Sequence, residues 1–118
     1  MSLNRRTPED RLRHIVSKAQ FAISLMAGKT VFDLKTDSLR FDALCRALTI
    51  IGEAANHVPI WMKAEMSSLP WNRMIGMRNL LVHQYWMIDP IIVFSTTNNQ
   101  LPDLVSTIEA WQNMSKSP

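Results

Sequence analysis

The amino-acid sequence predicts an all-α fold, an antiparallel bundle of four to five helices in a single domain over residues 1–118. Only three residues are glycine, and long stretches carry apolar side chains every three or four positions, a spacing typical of helices. The length suits one domain with its own core. The 47% hydrophobic and 19% charged content argues against a disordered chain.

Each expected helix is bounded by local start and stop signals. A capping residue, a proline in the first turn or early acidic residues indicate a start, and glycine or proline indicates an end. We expect residues 29–37 to form a connector, residues 60–69 to be short and mixed, and residues 98–102 to bend or divide the last segment. The predicted helices run from Thr7-Pro8 to Gly28, from Asp37 or Ser38 to Pro59, from Leu69-Pro70 to about Val82, and from Asp89-Pro90 to about Trp111.

The apolar faces of these helices should form the core of the bundle. Methionine and large aromatic side chains fill irregular interiors, so we interpret most of them as packing groups. The single cysteine, Cys45, excludes an internal disulfide and is expected to be a small buried apolar group. The residues expected in the core include Ile15, Leu44, Leu48, Ile51, Trp71, Met74, Phe94, Ile108 and Trp111.

The basic side chains are distributed unevenly. The net charge of +3 favours contact with an anion without identifying it. Residues 1–63 contain ten of the thirteen Lys and Arg, and the second half contains only Arg73, Arg78 and Lys116. No apolar run has the length of a membrane helix and no signal peptide is evident, so we expect a soluble cytoplasmic protein without a membrane partner.

One segment concentrates side chains with useful chemistry. Arg78, Asn79, His83 and the sole tyrosine, Tyr85, lie within eight residues. Histidine exchanges a proton near neutral pH, and arginine stays cationic and binds phosphate oxygens through two parallel hydrogen bonds. Asn79 precedes His83 by one helical turn, so we expect it to orient that ring. Composition alone would equally allow a solvated arginine and a histidine at a helix end.

The spacing of this segment resembles the signature of HEPN-domain ribonucleases, in which an arginine and a polar residue precede a histidine. The fuller pattern is similar specifically to HepT-like toxins, which are encoded beside a minimal nucleotidyltransferase antitoxin. The similarity extends from about residue 11 to residue 108. The matching segments are Arg78-Asn79, His83, Tyr85, Leu69-Pro70-Trp71, Gly76-Met77 and Gly52-Glu53-Ala54-Ala55.

This resemblance implies a symmetric homodimer with metal-independent endoribonuclease activity and no cofactor. Arg78, Asn79 and His83 match the nuclease positions, with the arginine and histidine at the dimer interface. Tyr85 matches the tyrosine that the partner nucleotidyltransferase adenylylates in some systems. RNA would then be the substrate and the antitoxin a protein partner.

Counting along the helix agrees with a site shared between two chains. Five residues at ~100° each place Arg78 and His83 ~140° apart on a regular helix. Either the helix loosens near Val82 or the two groups come from two chains. One histidine also cannot easily be both base and acid in one turnover. Tyr85, seven residues after Arg78, would return to within ~20° of the same face if the helix persisted.

Other polar residues have simpler interpretations. Glu53 and His57 have the spacing of a metal pair but lack a third ligand nearby, so His57 is expected to lie as a cation near a helix C-terminus. Glu53 should be paired with Arg73 or Arg78 if it is buried. His14 lies on a basic face of the first helix that is either solvated or in contact with RNA phosphates.

Two functions of different classes fit these residues. The preferred one is a toxin-type endoribonuclease neutralised by a nucleotidyltransferase, because Arg78 and His83 are both present. The alternative is a non-catalytic helical accessory that presents a substrate to the transferase or assists it.

Overall fold

The computed structural model describes residues 6–115 and contains no β-strand in that range. The all-α fold class is therefore confirmed. Seven α-helices lie in the described range, joined by a 3₁₀ turn at Tyr85–Met87 and a π-helical turn at Thr96–Gln100. The helices are α1 (Pro8–Met26), α2 (Val31–Thr36), α3 (Ser38–Asn56), α4 (Ile60–Glu65), α5 (Trp71–His83), α6 (Pro90–Ser95) and α7 (Leu101–Ser115).

The long helices begin and end at the signals in the sequence. The Thr7 hydroxyl accepts from the Asp10 backbone N–H at 3.0 Å, and the Asp10 carboxylate accepts from the Thr7 N–H at 3.1 Å, so α1 starts with a capping box. These hydrogen bonds lower the pKa of Asp10. Gly28 follows α1 with φ of +73°, a left-handed conformation that glycine adopts without strain. Asp37 caps α3 through the Arg40 N–H.

Two short helices, α2 and α4, occupy segments that the sequence left irregular. The expected connector 29–37 contains α2, which starts with a second capping box formed by Thr30 and Asp33. Leu34 of α2 and Met62 of α4 are almost completely buried, so both short helices contribute to the core. Helix α6 forms the first part of the last predicted segment. The connector prediction was wrong because a capping box and the burial of Leu34 stabilise α2, and six residues show too little periodicity to reveal it.

The irregularity expected at residues 98–102 is the π-helical turn. Pro102 lacks a backbone N–H and cannot donate to the residue four positions earlier, which favours a local change of hydrogen-bond register at this point. The buried Thr97 hydroxyl donates to the Val93 carbonyl at 2.9 Å. The helical path therefore continues from α6 into α7 without an open break.

The core lies where α3 packs against α1 and α5, and where α1 packs against α7. The expected core residues Ile15, Leu44, Leu48, Ile51 and Ile108 are all buried. Trp71 is buried too, and its indole N–H donates to the Met66 carbonyl at 3.0 Å.

Four other predicted core residues are only partly buried at the edge of this core: Cys45, Met74, Phe94 and Trp111. Trp111 keeps its ring nitrogen at the surface, where it donates to a Glu65 carboxylate oxygen at 2.8 Å. The helical period predicts which face points inward but does not show how far the neighbouring helix extends over it. No helix in the described range is long and apolar enough to cross a lipid bilayer.

Candidate functional site

The position of Arg78 is set by a close approach of α3 to α5 at Gly52. A Cβ atom on Gly52 would lie 2.3 Å from the Arg78 Cβ and 2.6 Å from the Met74 carbonyl oxygen. Those separations are far below van der Waals contact, so only glycine allows this helix spacing. The backbone of Arg78 is therefore held directly against α3.

The neighbouring residue on α3 supplies the counter-charge of Arg78. The Arg78 Nε lies 2.7 Å from a Glu53 carboxylate oxygen, and the same carboxylate lies 3.4 Å from the His57 ring. The Arg78 Nε–H is buried and is not aligned with a hydrogen-bond acceptor in the described range, so the contact is an ion pair. Of the two pairings expected for Glu53, the structure contains the one with Arg78.

The Glu53 side chain is 45% exposed, so the pair lies at the surface and not in the interior. Arg73 is exposed and forms no ion pair in the described range. The supporting role of Arg73 stays a prediction.

Asn79 contacts the arginine and not the histidine. The Arg78 Nη1 donates to the Asn79 side-chain oxygen at 2.8 Å. No hydrogen bond between Asn79 and His83 occurs among the described residues, so the orienting role expected from their spacing is not seen here. The amide instead holds the outer end of the guanidinium, whose inner nitrogen faces Glu53.

His83 is the exposed final residue of α5. The helix stays regular through it, because the Gln84 N–H still donates to the Leu80 carbonyl at 2.8 Å. The alternative in which the helix loosens near Val82 is therefore wrong. Arg78 and His83 remain ~140° apart around α5 and ~7.5 Å apart along it.

Tyr85 lies beyond the end of α5. The premise of a continuing helix is wrong, because Gln84 ends α5 and Tyr85 begins the 3₁₀ turn. The Tyr85 side chain is 71% exposed, and its ring meets that of Trp86 edge-on with 5.5 Å between centroids. Its hydroxyl forms no hydrogen bond within the described part of the chain, so it is open to a second protein.

A basic cleft of about 430 Å³ lies beside Arg78, between α1, α3 and α5. Its charged lining consists of Arg6, Arg11, Arg46 and Arg78 against one carboxylate, Glu53, with His14 among them. The pKa of His14 is lowered by burial and by the nearby cations Arg6, Lys18 and Arg11.

Arg46 in this cleft was missed in the sequence. It precedes Glu53 by seven residues, a spacing that places both on one face of α3 and could have identified it. The steric role of Gly52 was also missed, because no local pattern reveals which residue of another helix it faces.

Cys45 and His57 are two further residues whose surroundings determine their chemistry. Burial, together with Asp42, raises the pKa of Cys45 to about 11, so its thiol stays protonated at neutral pH and is a poor nucleophile. His57 caps the C-terminus of α3, as expected. The described residues contain no group of three or more His, Cys, Asp or Glu side chains arranged to hold a metal ion.

A family model described as ribonuclease HepT-like matches residues 10–111. The chain belongs to the HepT-like ribonuclease family. This agrees with the resemblance noted in the sequence, and the matched range contains Arg78, Asn79, His83, Tyr85 and Glu53.

Individual relatives of this HepT-like chain carry ribonuclease names. A protein of Caldanaerobacter subterraneus named "Putative RNase" is 31% identical over 104 residues, which cover 88% of this chain and 93% of the relative. The "Probable ribonuclease HepT" of Thermococcus cleftensis is 36% identical over 67 residues, which cover 57% of this chain and 61% of the relative. No solved structure matches the chain. Family and relatives together support a ribonuclease that acts on RNA.

Proposed function

We propose that this HepT-like protein is the toxin of a toxin–antitoxin pair, a metal-independent endoribonuclease whose site is composed from two copies of the chain. The proposal of a composite site rests on the positions of Arg78 and His83 on α5. Arg78 is held by α3 on one side of α5, whereas His83 lies at the exposed end of the same regular helix, ~140° away. A two-fold axis near the end of α5 would bring two such pairs to one cleft.

The surface beside His83 has the character of a protein interface. Large apolar side chains are exposed along residues 82–92, immediately after the motif. Contiguous exposed apolar residues of this kind mark association sites. These residues are Val82, Trp86, Met87, Ile91 and Ile92, with exposures from 43% to 69%. Burying them in a homodimer would place the motifs of the two chains close together.

The proposed reaction needs only the proton chemistry of His83 and the charge of Arg78. One histidine takes the proton of the RNA 2′-hydroxyl, whose oxygen attacks the adjacent phosphorus. The bond from phosphorus to the 5′-oxygen breaks, and the histidine of the second chain donates a proton to that leaving oxygen. The guanidinium of Arg78 stabilises the added negative charge on the phosphate oxygens. The products are a 2′,3′-cyclic phosphate and a 5′-hydroxyl.

Neutralisation by a nucleotidyltransferase would act through Tyr85. Its exposed hydroxyl lies two residues after His83, and its oxygen can attack the α-phosphorus of ATP on the transferase, losing its proton and releasing pyrophosphate as AMP is transferred. Each transferred AMP adds bulk and a phosphodiester charge next to the histidine, which would repel and obstruct the RNA backbone. The exposure of Tyr85 also suits the alternative role, in which the chain is a non-catalytic accessory that assists the transferase or presents a substrate to it.

Cleavage of RNA in EDTA separates the two functions. We expect wild-type protein to cleave, and His83→Ala to lose about 10²-fold or more in rate, the contribution typical of a general acid or base. His57→Ala is the matched control, because His57 is also an exposed histidine at a helix C-terminus, and it should retain most activity. Cleavage that requires a divalent metal, or full activity of His83→Ala, would contradict the mechanism. An absence of cleavage by wild type would favour the accessory role.

A further inference from the structure

The basic cleft beside Arg78 contains more positive charge than the proposed reaction uses. Four arginines line it against one carboxylate, so its local charge is +3 with His14 neutral. Glu53 is already paired with Arg78. The cleft therefore holds cations in excess of the single group needed at the reacting phosphate.

Apart from Arg6, which contacts His14, the uncompensated members of this cleft are Arg11 of α1 and Arg46 of α3. Neither forms an ion pair with an acidic side chain in the described range. Other arginines of the same two helices behave differently: Arg13 is paired with Asp10, and Arg40 with Asp37. The unpaired guanidiniums thus occur where two helices converge on a concave surface, which concentrates a positive potential.

His14 lies among these cations. The Arg6 Nη1 lies 3.4 Å from the His14 Nδ1, and burial together with the surrounding cations disfavours the charged form of the ring. Arg11 and Lys18 on its own helix contribute, and Arg46, Arg78 and Glu53 line the cleft from α3 and α5. Like charges held this close favour an anion that neutralises them.

We propose that Arg11, His14 and Arg46 form a phosphate subsite that binds the RNA backbone one or more nucleotides away from the phosphate at Arg78. This inference rests on the proposed function, because it extends the same substrate along the surface. The cleft is continuous with Arg78 and with Val82, which immediately precedes His83. A single strand could therefore pass from the reacting phosphate into the cleft without leaving the protein surface.

The size of the effect follows from counterion release. Each phosphate contact on single-stranded nucleic acid contributes ~0.7 to the slope of log K against log salt, which is ~5-fold in affinity at 0.1 M relative to 1 M salt. Removing both Arg11 and Arg46 should then lower affinity by ~25-fold at 0.1 M salt and reduce the slope by ~1.4.

The test measures binding of a short, fully 2′-O-methylated RNA, which lacks the attacking hydroxyl and cannot be cleaved. Wild type is compared with the double variant Arg11→Gln/Arg46→Gln and with Arg73→Gln, which removes an exposed arginine of α5 outside the cleft. We expect the double variant to show the ~25-fold loss and the smaller salt slope. Arg73→Gln should bind within about twofold of wild type, because it lowers only the general charge. Arg46→Lys keeps the positive charge and should retain the wild-type slope of log K against log salt. This variant controls for damage to the fold caused by replacing Arg46.

Several results would overturn the subsite. Unchanged binding by the double variant, or an equal loss in Arg73→Gln, would show that the cleft makes no specific contact. If millimolar inorganic phosphate shifts the NMR resonance of His14 and the RNA does not, the cleft binds free phosphate and not the RNA backbone. The test separates the subsite from the nuclease proposal. If the wild-type protein binds RNA through the cleft but cleaves no unmodified RNA, only the nuclease proposal is refuted. If the wild-type protein cleaves RNA and the double variant binds as tightly as wild type, only the subsite is refuted.

Discussion

Replacing Gly52 with alanine tests the close helix contact that positions Arg78. The new Cβ would lie 2.3 Å from the Arg78 Cβ and 2.6 Å from the Met74 carbonyl oxygen, whereas ordinary contact begins at 3.4 Å. Neither contacting atom lies at the flexible end of a side chain, so α3 and α5 must separate by about 1 Å, in a core that resists such shifts.

The expected loss of stability can be worked from this geometry. Overpacking of a core costs ~1–3 kcal/mol, and a contact with backbone belongs at the upper end. Alanine recovers ~1 kcal/mol of helix propensity, so the net destabilisation is ~2 kcal/mol. At ~2.1 cal/mol/K per residue, 118 residues have an unfolding entropy of ~0.25 kcal/mol/K, so each kcal/mol shifts Tm by ~4 °C. We therefore expect Tm to fall by ~8 °C.

Gly76→Ala is the matched control, because nothing lies within 4 Å of a Cβ at that exposed position of α5. It gains helix propensity without a clash and should raise Tm by ~4 °C. Thermal unfolding followed by circular dichroism measures both variants. Displacement of Arg78 by about 1 Å should also lower the rate of RNA cleavage by up to ~10²-fold in Gly52→Ala. A Tm for Gly52→Ala equal to or above that of wild type would refute the steric reasoning.

Three further outcomes are expected. Glu53→Gln removes the counter-charge of Arg78 and should lower the free energy of unfolding by at most ~1 kcal/mol, as for a partly exposed ion pair. The rate of RNA cleavage should fall by more than this loss of stability explains. A variant that cleaves at the wild-type rate would show that the pair does not position the guanidinium. Tyr85→Phe should stay toxic when the transferase is co-expressed and gain no mass in multiples of AMP, unless the transferase also inhibits by binding; labelling as heavy as wild type would place the modified residue elsewhere. Cys45 should react with iodoacetamide far more slowly at pH 8 in the folded protein than in denaturant, because its pKa is about 11. The buried thiol contributes fully to the free energy of unfolding below about pH 9, and this contribution is lost as pH rises towards 11. A folded thiol that reacts with iodoacetamide as fast as the denatured one would contradict its burial.

Local patterns in the sequence determined where the long helices of this protein begin and which faces they bury. The signals at Thr7-Pro8, Gly28 and Asp37 act through their own backbone and nearest neighbours, so the helix ends that they set can be predicted without a tertiary structure. Ile15 and Ile108 were placed in the core by period alone. The motif containing Arg78 and His83 was likewise recognisable, because its spacing lies within one helix.

Contacts between distant segments were decided only by the tertiary structure. Gly52 faces Arg78 across two helices, and no local feature of α3 states which residue it will meet. Asn79 accepts a hydrogen bond from the adjacent Arg78, whose guanidinium also faces Glu53, and helical spacing alone had favoured His83 as its partner. The basic cleft exists because α1 and α3 converge with their unpaired arginines facing the same space. Sequence periodicity specifies the face of each helix, and packing alone decides which faces meet.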